Sequence, residues 1–335
     1  ILIRSPREKR DLREDISAAP DPLRRGKRYL WLTTQKGKFI KPCPCTPGYI
    51  GCNYFVINLY LGCPLDCTYC ILQSYLADPW ISVRVNLEDL WVELDGFFKK
   101  RESRYLRLGT GELGDSLALD HITGLSSDLI SYFRKWPNAD FELKTKTTNI
   151  QKILDIDPPQ NTVVSWSLNT EKIARDEESG APSPMARLEA AEKIAARGFR
   201  VGFHFDPLII HPGWKSGYAE TISVLLKTIP PSRIAWISLG SFRFPPFLKK
   251  IIRLRFPGSR IICGEFIPGR DGKSRYFRPL RTELYRYVAG LIQKNGGERI
   301  PLYVCMENAR IWEDVMGWKP RGKSALESTL SPRSR

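Results

Sequence analysis

Short runs rich in β-branched and aromatic residues alternate with longer helical patterns along most of this chain, and the alternation limits its fold more than any other feature. The runs at Phe55–Leu61, Arg104–Gly109, Phe141–Lys146, Thr162–Asn169, Arg200–Leu208, Arg233–Ser241 and Arg260–Phe266 read as strands. Between them, helices are predicted near Tyr69–Leu76, Leu87–Arg101, Asp120–Trp136, Ser183–Arg197, Tyr218–Thr228 and Phe247–Phe256, with another at Arg281–Lys294. Ser183-Pro184 supplies an N-cap followed by proline at the first helical position, and Gly198 follows the last turn of the same helix. Strands separated by helices of this length imply βαβ units and a parallel sheet. About six such units point to an α/β fold, a partial six-unit (β/α) barrel of TIM type, with an open doubly wound sheet as the alternative. In a barrel, chemistry gathers at the C-terminal ends of the strands.

One such end carries Cys63-Pro-Leu-Asp-Cys67-Thr-Tyr-Cys70, three thiols within eight residues between a predicted strand and a predicted helix. Three closely spaced thiolates suit three irons of a cubane [4Fe–4S] cluster, whereas a closed structural site calls for a fourth protein ligand. The open iron can chelate the amino and carboxylate groups of S-adenosylmethionine, whose reductive cleavage yields a 5′-deoxyadenosyl radical. The competing readings are a zinc site completed by Cys43, Cys45 or Cys52, and three unrelated core cysteines. Cys43-Pro-Cys45 and Cys52 match no recognised metal spacing and read as structural thiols, with a second metal site as the alternative, and Cys263 and Cys305 read as buried.

Charge supplies a second constraint. Lys and Arg number 52 against 36 Asp and Glu, a net charge of +16, which favours a polyanionic partner. Residues 1–42 hold twelve basic against five acidic side chains, and residues 244–286 hold eleven against three. The block Arg270-Asp-Gly-Lys273-Ser-Arg275-Tyr276-Phe277-Arg278 interleaves cations with aromatics, as a phosphate-neutralising and base-stacking surface requires. Arg243 and Arg253 are candidates to extend it. Composition (42% hydrophobic, 26% charged) is that of a folded globular chain, and the longest apolar stretches fall short of the roughly 18 residues of a membrane span. No membrane association is expected, no signal peptide is read at Ile1-Leu2-Ile3-Arg4, and a cytoplasmic, monomeric protein is expected.

The Cys-x3-Cys-x2-Cys spacing, with an aromatic residue just before the third cysteine, resembles the radical S-adenosylmethionine superfamily. Further segments resemble its spore photoproduct lyase family over most of residues 38–286: Gly62 through Gln73, Asp120-His121, Lys144-Thr145-Lys146, Ser165-Trp166-Ser167-Leu168-Asn169, Ser183 to Gly198, His211-Pro212-Gly213-Trp214 and Trp236-Ile237-Ser238-Leu239-Gly240. The Pro42-Cys43-Pro44-Cys45-Thr46-Pro47 run, Ile71-Leu72-Gln73 and Val304-Cys305-Met306-Glu307 look more like a broader branch of that family than like the sporulation enzyme. The resemblance implies a radical SAM barrel with a basic DNA-binding extension, a [4Fe–4S] cluster on Cys63, Cys67 and Cys70, bound S-adenosylmethionine, and reversal of an ultraviolet thymine lesion in DNA. It also implies a reductant such as flavodoxin or ferredoxin.

Carried over by position, Lys146 and Ser167 match residues that contact S-adenosylmethionine, and Tyr69 remains of a tyrosine pair whose second member is Ile71 here. Gly109-Thr110-Gly111-Glu112 is similar to the glycine-glycine-glutamate element that holds the methionine amino group, which makes Glu112 a cofactor ligand and, with Tyr69, a catalytic candidate. Glu112 also stands where the lyases carry the cysteine that returns a hydrogen atom to the product. A carboxylate O–H bond is too strong to do so. Asp115, His204 and Asp206 occupy further strand ends. The alternatives to lesion repair are a radical enzyme acting on another nucleic-acid or small-molecule substrate, and a DNA-binding protein with a structural or redox-sensing cluster. The expected organisation is a flexible basic arm at 1–37, a barrel at 38–266 with its cluster loop at 63–70, a basic, aromatic and helical region at 267–318, and a disordered basic tail at 319–335. A closing helix is expected from Glu307, with Trp312 in the core.

Overall fold

The computed structural model of the protein describes residues 6–45, 48–296 and 300–320, together with 326 and 330. Its centre is an eight-stranded sheet. We number the strands β1 (Ile40–Pro42), β2 (Tyr54–Ile57), β3 (Leu106–Gly109), β4 (Ala139–Thr145), β5 (Thr162–Ser167), β6 (Arg200–Leu208), β7 (Ile234–Ser241) and β8 (Leu302–Val304). Their spatial order is their chain order; β2 to β8 run parallel and β1 lies antiparallel on β2 at the edge. This is the partial barrel that the βα alternation predicts. Beyond the edges, Ile50 bridges Glu307, its amide donating to the Glu307 carbonyl at 2.8 Å, so the loop after β1 meets the segment after β8.

The strands show why the sheet curls around a polar interior. Successive side chains point to opposite faces. One set, including Leu106, Leu108, Phe141, Leu143, Val164, Trp166, Phe203, Phe205, Ile237 and Leu239, joins the helices in one apolar core. The alternate set carries Arg107, Glu142, Lys144, Ser165, Ser167, His204, Asp206 and Ser238. Gly109 and Gly202 belong to that set too. A Cβ on Gly109 would lie 2.6 Å from the Glu142 carbonyl oxygen, and one on Gly202 would lie 3.0 Å from the Trp236 ring nitrogen. Glycine there lets neighbouring strands and inward side chains crowd together.

The covering helices are α1 (Leu87–Lys99), α2 (Leu125–Phe133), α3 (Pro184–Ala196), α4 (Trp214–Thr228), α5 (Pro246–Arg255), α6 (Arg278–Gly296) and α7 (Ala309–Met316). Ser183 caps α3 by accepting from the Ala186 amide, and Gly198 beyond it has φ +106°. Trp312 is fully buried on α7.

Four expectations need correction. Residues 260–265, expected in a strand, form bends and turns, and the eighth strand comes from Leu302–Val304, so the barrel sheet extends past 266. Cys263, expected buried, is therefore exposed, and Cys305, expected buried with it, is half-buried. Phe55–Leu61 splits: β2 ends at Ile57, and Tyr60–Leu61 turns away to pair antiparallel with Ile81–Arg84. The arm expected to be flexible at 1–37 instead forms helices at Pro6–Ser17 and Pro22–Gly26 and a strand at Leu30–Thr33, which pairs with Ile81–Arg84. Lys9 sits 4.7 Å above the Trp31 ring and Arg13 5.3 Å above Trp80, so cations on indole faces anchor a helix with little apolar surface. Residues 1–5, Thr46 and Pro47, and most of the 319–335 tail lie outside the described residues. Among those described, no helix is long and apolar enough to cross a membrane.

Candidate active site

The three-cysteine loop leaves the sheet at Gly62, whose φ of +89° needs glycine for the turn. Cys63, Cys67 and Cys70 then line one cavity of about 250 Å³ with Tyr69, Gly111, Glu112, Lys146, Ser167, Asp206 and Arg243. The loop is held from outside. Cys67 pairs antiparallel with Glu178, Gln73 Nε2 donates to the Cys67 and Thr68 carbonyls at 3.1 and 3.0 Å, and Lys27 Nζ donates to the Cys63 carbonyl at 2.9 Å. Arg255 on α5 binds Asp66 at 3.0 Å and Asp21 at 2.8 Å. The N-terminal segment is thus part of the site's scaffold. Burial pushes the Cys63 thiol well up and the Cys67 thiol to about 12, so both stand as neutral thiols at neutral pH.

Tyr69 is buried at the cavity floor. Its hydroxyl donates to Glu178, which also forms a nearly fully buried ion pair with Arg187 on α3. Burial and the Glu178 charge push the Tyr69 phenol well above its usual range. Lys146 Nζ stands 5.6 Å from the Tyr69 ring centre. Ser167 ends β5, its carbonyl accepting from Arg187 Nη1 at 2.9 Å.

At the end of β3, Glu112 forms an ion pair with Lys144 Nζ. A Cβ on Gly111 would lie 2.7 Å from Lys144 Cβ and 2.9 Å from its carbonyl oxygen, so only glycine lets this turn pass β4. Asp115 is a structural anchor: it accepts from the Leu117 and Ala118 amides at 3.0 and 2.9 Å, the Thr145 hydroxyl at 2.6 Å and the Lys146 amide at 2.7 Å. That fixes Lys146 at the rim.

A larger space of about 520 Å³ adjoins the first and shares Ile71, Leu72, Glu112, Lys144, Ser167, Asp206 and Arg243 with it. It continues past His204, Glu142, Asn58 and Tyr54 to Cys43, Cys52 and Cys305. His204 hydrogen-bonds Ser238 Oγ at 2.6 Å and Glu142 at 2.7 Å, and Glu142 also accepts from Ser165 at 2.7 Å and Trp236 at 3.2 Å. Burial alone would raise the Glu142 carboxyl, yet His204 and Arg107 outweigh it and hold the group far below the usual range. Asp206 receives both Arg243 nitrogens at 3.2 Å. Arg243 therefore belongs to this cavity and is no extension of a surface patch. Sequence reasoning missed Lys144, Glu142 and Arg243 as site residues. The signal was present: polar side chains recur at every second position of otherwise apolar strands.

The basic block forms a hairpin of Phe266–Pro268 and Ser274–Tyr276, alongside Arg243–Phe244. Two of its five expected DNA contacts are corrected. Arg275 is 2% exposed and binds Asp271, and Tyr276 is 2% exposed and stacks on Phe266, so neither faces outward. The acid four residues before Arg275 neutralises it within the hairpin. Arg270 and Arg278 are exposed, and Lys273 reaches the larger cavity.

The chain is similar to known proteins over most of its length. The model of the spore photoproduct lyase family matches residues 50–279, more than two-thirds of the chain. Spore photoproduct lyase of Geobacillus sp. is 27% identical over 248 residues, 70% of this chain and 73% of that protein. The Bacillus subtilis enzyme is also 27% identical, over 70% of this chain and 72% of its own length. A solved double mutant of spore photoproduct lyase with bound S-adenosylmethionine and dinucleoside spore photoproduct is similar at a TM-score of 0.74 and 26% identity, covering 85% of this chain and 84% of that one. A solved single mutant gives 0.76 and 25%, covering 85% of each chain.

Proposed function

Because this chain belongs to the spore photoproduct lyase family, radical S-adenosylmethionine lyases that repair lesions in DNA, we propose that it binds damaged DNA over its barrel mouth and reverses a pyrimidine lesion there. One observation carries the reading: three thiols from a single loop open onto the same cavity as Glu112, Lys146 and Ser167, at the C-terminal ends of parallel strands. The donor set fits a [4Fe–4S] cluster with one iron open. Cys63, Cys67 and Cys70 would hold it, and when bound with S-adenosylmethionine the pair supplies a 5′-deoxyadenosyl radical.

The protein's own residues do the rest. Glu112 accepts from an ammonium, with Lys144 setting its position, and Lys146 and Ser167 line the same cavity. Tyr69, fixed by Glu178, walls the cavity floor. The larger cavity, with Lys144, Asp206, Arg243 and His204 on its wall, is where an extruded lesion is received, since bases inside a duplex are out of reach of a barrel interior. Arg270 and Arg278 neutralise phosphates outside it.

Glu112 in place of the hydrogen-donating cysteine favours a second reading, a related radical reaction on another nucleic-acid substrate. Anaerobic reconstitution followed by assay of 5′-deoxyadenosine, with and without irradiated DNA, tests both. Release stimulated by irradiated DNA and abolished in Cys67→Ala supports the proposal. Release indifferent to the lesion favours the second reading, and no release from a reconstituted chain overturns both.

A further inference from the structure

Four of the remaining cysteines come together from three separate segments. Cys43 follows β1, Cys45 lies two residues on, Cys52 precedes β2, and Cys305 follows β8. All four line one cavity of about 110 Å³, together with Pro42, Tyr54 and Met306. Strands β1 and β8 are the two edges of the sheet, so this cavity sits in the open seam of the partial barrel. The backbone already closes there. Cys43 donates its amide to the Tyr54 carbonyl and Cys305 donates its amide to the Leu239 carbonyl, each at 2.7 Å, and the Ile50–Glu307 bridge spans the gap. Two non-glycine residues with positive φ, Asn53 at +53° and Met306 at +56°, each directly follow one of these cysteines.

We propose that Cys43, Cys45, Cys52 and Cys305 form a site for one thiophilic divalent metal ion, which ties the two edges of the barrel sheet together. Four thiolates are the donor set of a closed, tetrahedral soft-metal site with no open position. That distinguishes it from the three-cysteine loop, which leaves a position free. Among the described residues no group of three or more such side chains is already drawn into metal-binding geometry, the Cys63 loop included, so both sets would close on their metal. The surroundings disfavour bare thiolates: burial, with Glu112 near Cys43, Glu112 and Glu142 near Cys52 and Asp206 near Cys305, outweighs Lys144, Arg107 and Arg243, so the metal cation itself must supply the balancing charge. Burial keeps Cys43, Cys52 and Cys305 protonated without a metal, so binding releases protons. Cys45 Sγ, 3.5 Å from the Tyr49 carbonyl, lies on the solvent side and provides the entry path.

The test removes the cluster loop's thiols, so that its outcome is independent of radical chemistry. The full chain carrying Cys63→Ala, Cys67→Ala and Cys70→Ala is titrated anaerobically with Cd2+, read by thiolate-to-metal charge-transfer absorbance. One Cd2+ per chain, retained against excess Mg2+ and able to displace Zn2+ bound beforehand, is expected. Adding Cys305→Ser should weaken binding by at least the roughly 100-fold that losing an outer-shell partner of a metal can cost, while Cys263→Ser leaves it unchanged. No uptake, or uptake indifferent to Cys305→Ser, overturns the proposal. Should the variants fail to fold, alkylation mapped by mass spectrometry on the unaltered chain decides. Zn2+ must shield all four seam thiols while exposed Cys263 stays reactive, and alkylation of the four at an unchanged rate refutes the site.

Discussion

Arg187 and Glu178 face each other with side chains 0% and 1% exposed, directly behind the cluster loop. A buried pair of this kind adds little against an apolar replacement of both members, but removing one member strands the other charge out of water. Arg187→Ala should therefore cost about 3–5 kcal/mol, read as a lower urea midpoint. It should also free the Tyr69 hydroxyl's partner and the Ser167 carbonyl, so S-adenosylmethionine affinity falls with it. An unchanged midpoint would mean that water reaches Glu178. Neither residue stands out in the sequence. Arg187 lies on a helix whose pattern reads as ordinary amphipathic surface, and Glu178 sits outside any motif. By contrast Cys63, Cys67 and Cys70 are legible as a group because their local spacing is that of a metal-binding loop, and Glu112 is legible through the resemblance of Gly109-Thr110-Gly111-Glu112 to a family element.

Among the elements, the hairpin at Phe266–Tyr276 is held by a charge pair in its turn. Burial alone would raise the Asp271 carboxyl, but hydrogen bonds and charge from Arg275 outweigh that and hold it at about 2, below its usual 3.8. A depressed carboxylate stabilises the fold above its unfolded pKa and ceases to as pH falls through the folded one. The melting difference between the parent chain and Asp271→Asn should thus be full above about pH 4 and shrink toward about pH 2. A difference constant across that window removes the pair as the hairpin's anchor. Elements with a sustained apolar pattern, such as β5, β6 and α3, are readable from the sequence. Strand β8 is not, because three residues carry no period, and the isoleucines at 261 and 262 suit a strand but are buried from within a turn. The helix at Pro6–Ser17 is equally hidden, since Ile16 is its one fully buried apolar side chain among those described and its contacts are cations on indoles.

At the scale of the molecule, a net charge of +16 predicts salt-dependent DNA binding. Replacing exposed Arg270 and Arg278 together by Ala should reduce the slope of log K against log salt by about two, measured by fluorescence anisotropy on a lesion-containing duplex. Arg275→Ala should lower hairpin stability and change the slope less, and an equal change would place Arg275 on the phosphates after all. The sequence by itself determined the partial α/β barrel, the three-cysteine loop beyond a strand and the cationic character of the chain, because strand period, residue spacing and net charge are all local or additive quantities. Only the tertiary structure decided that Arg275 and Tyr276 are interior, that Lys144, Asp206 and Arg243 wall the cavity, and that Cys305 meets Cys43 and Cys52. Those facts depend on which strand edges close on one another, and a one-dimensional pattern carries no record of contacts made across 250 residues of chain.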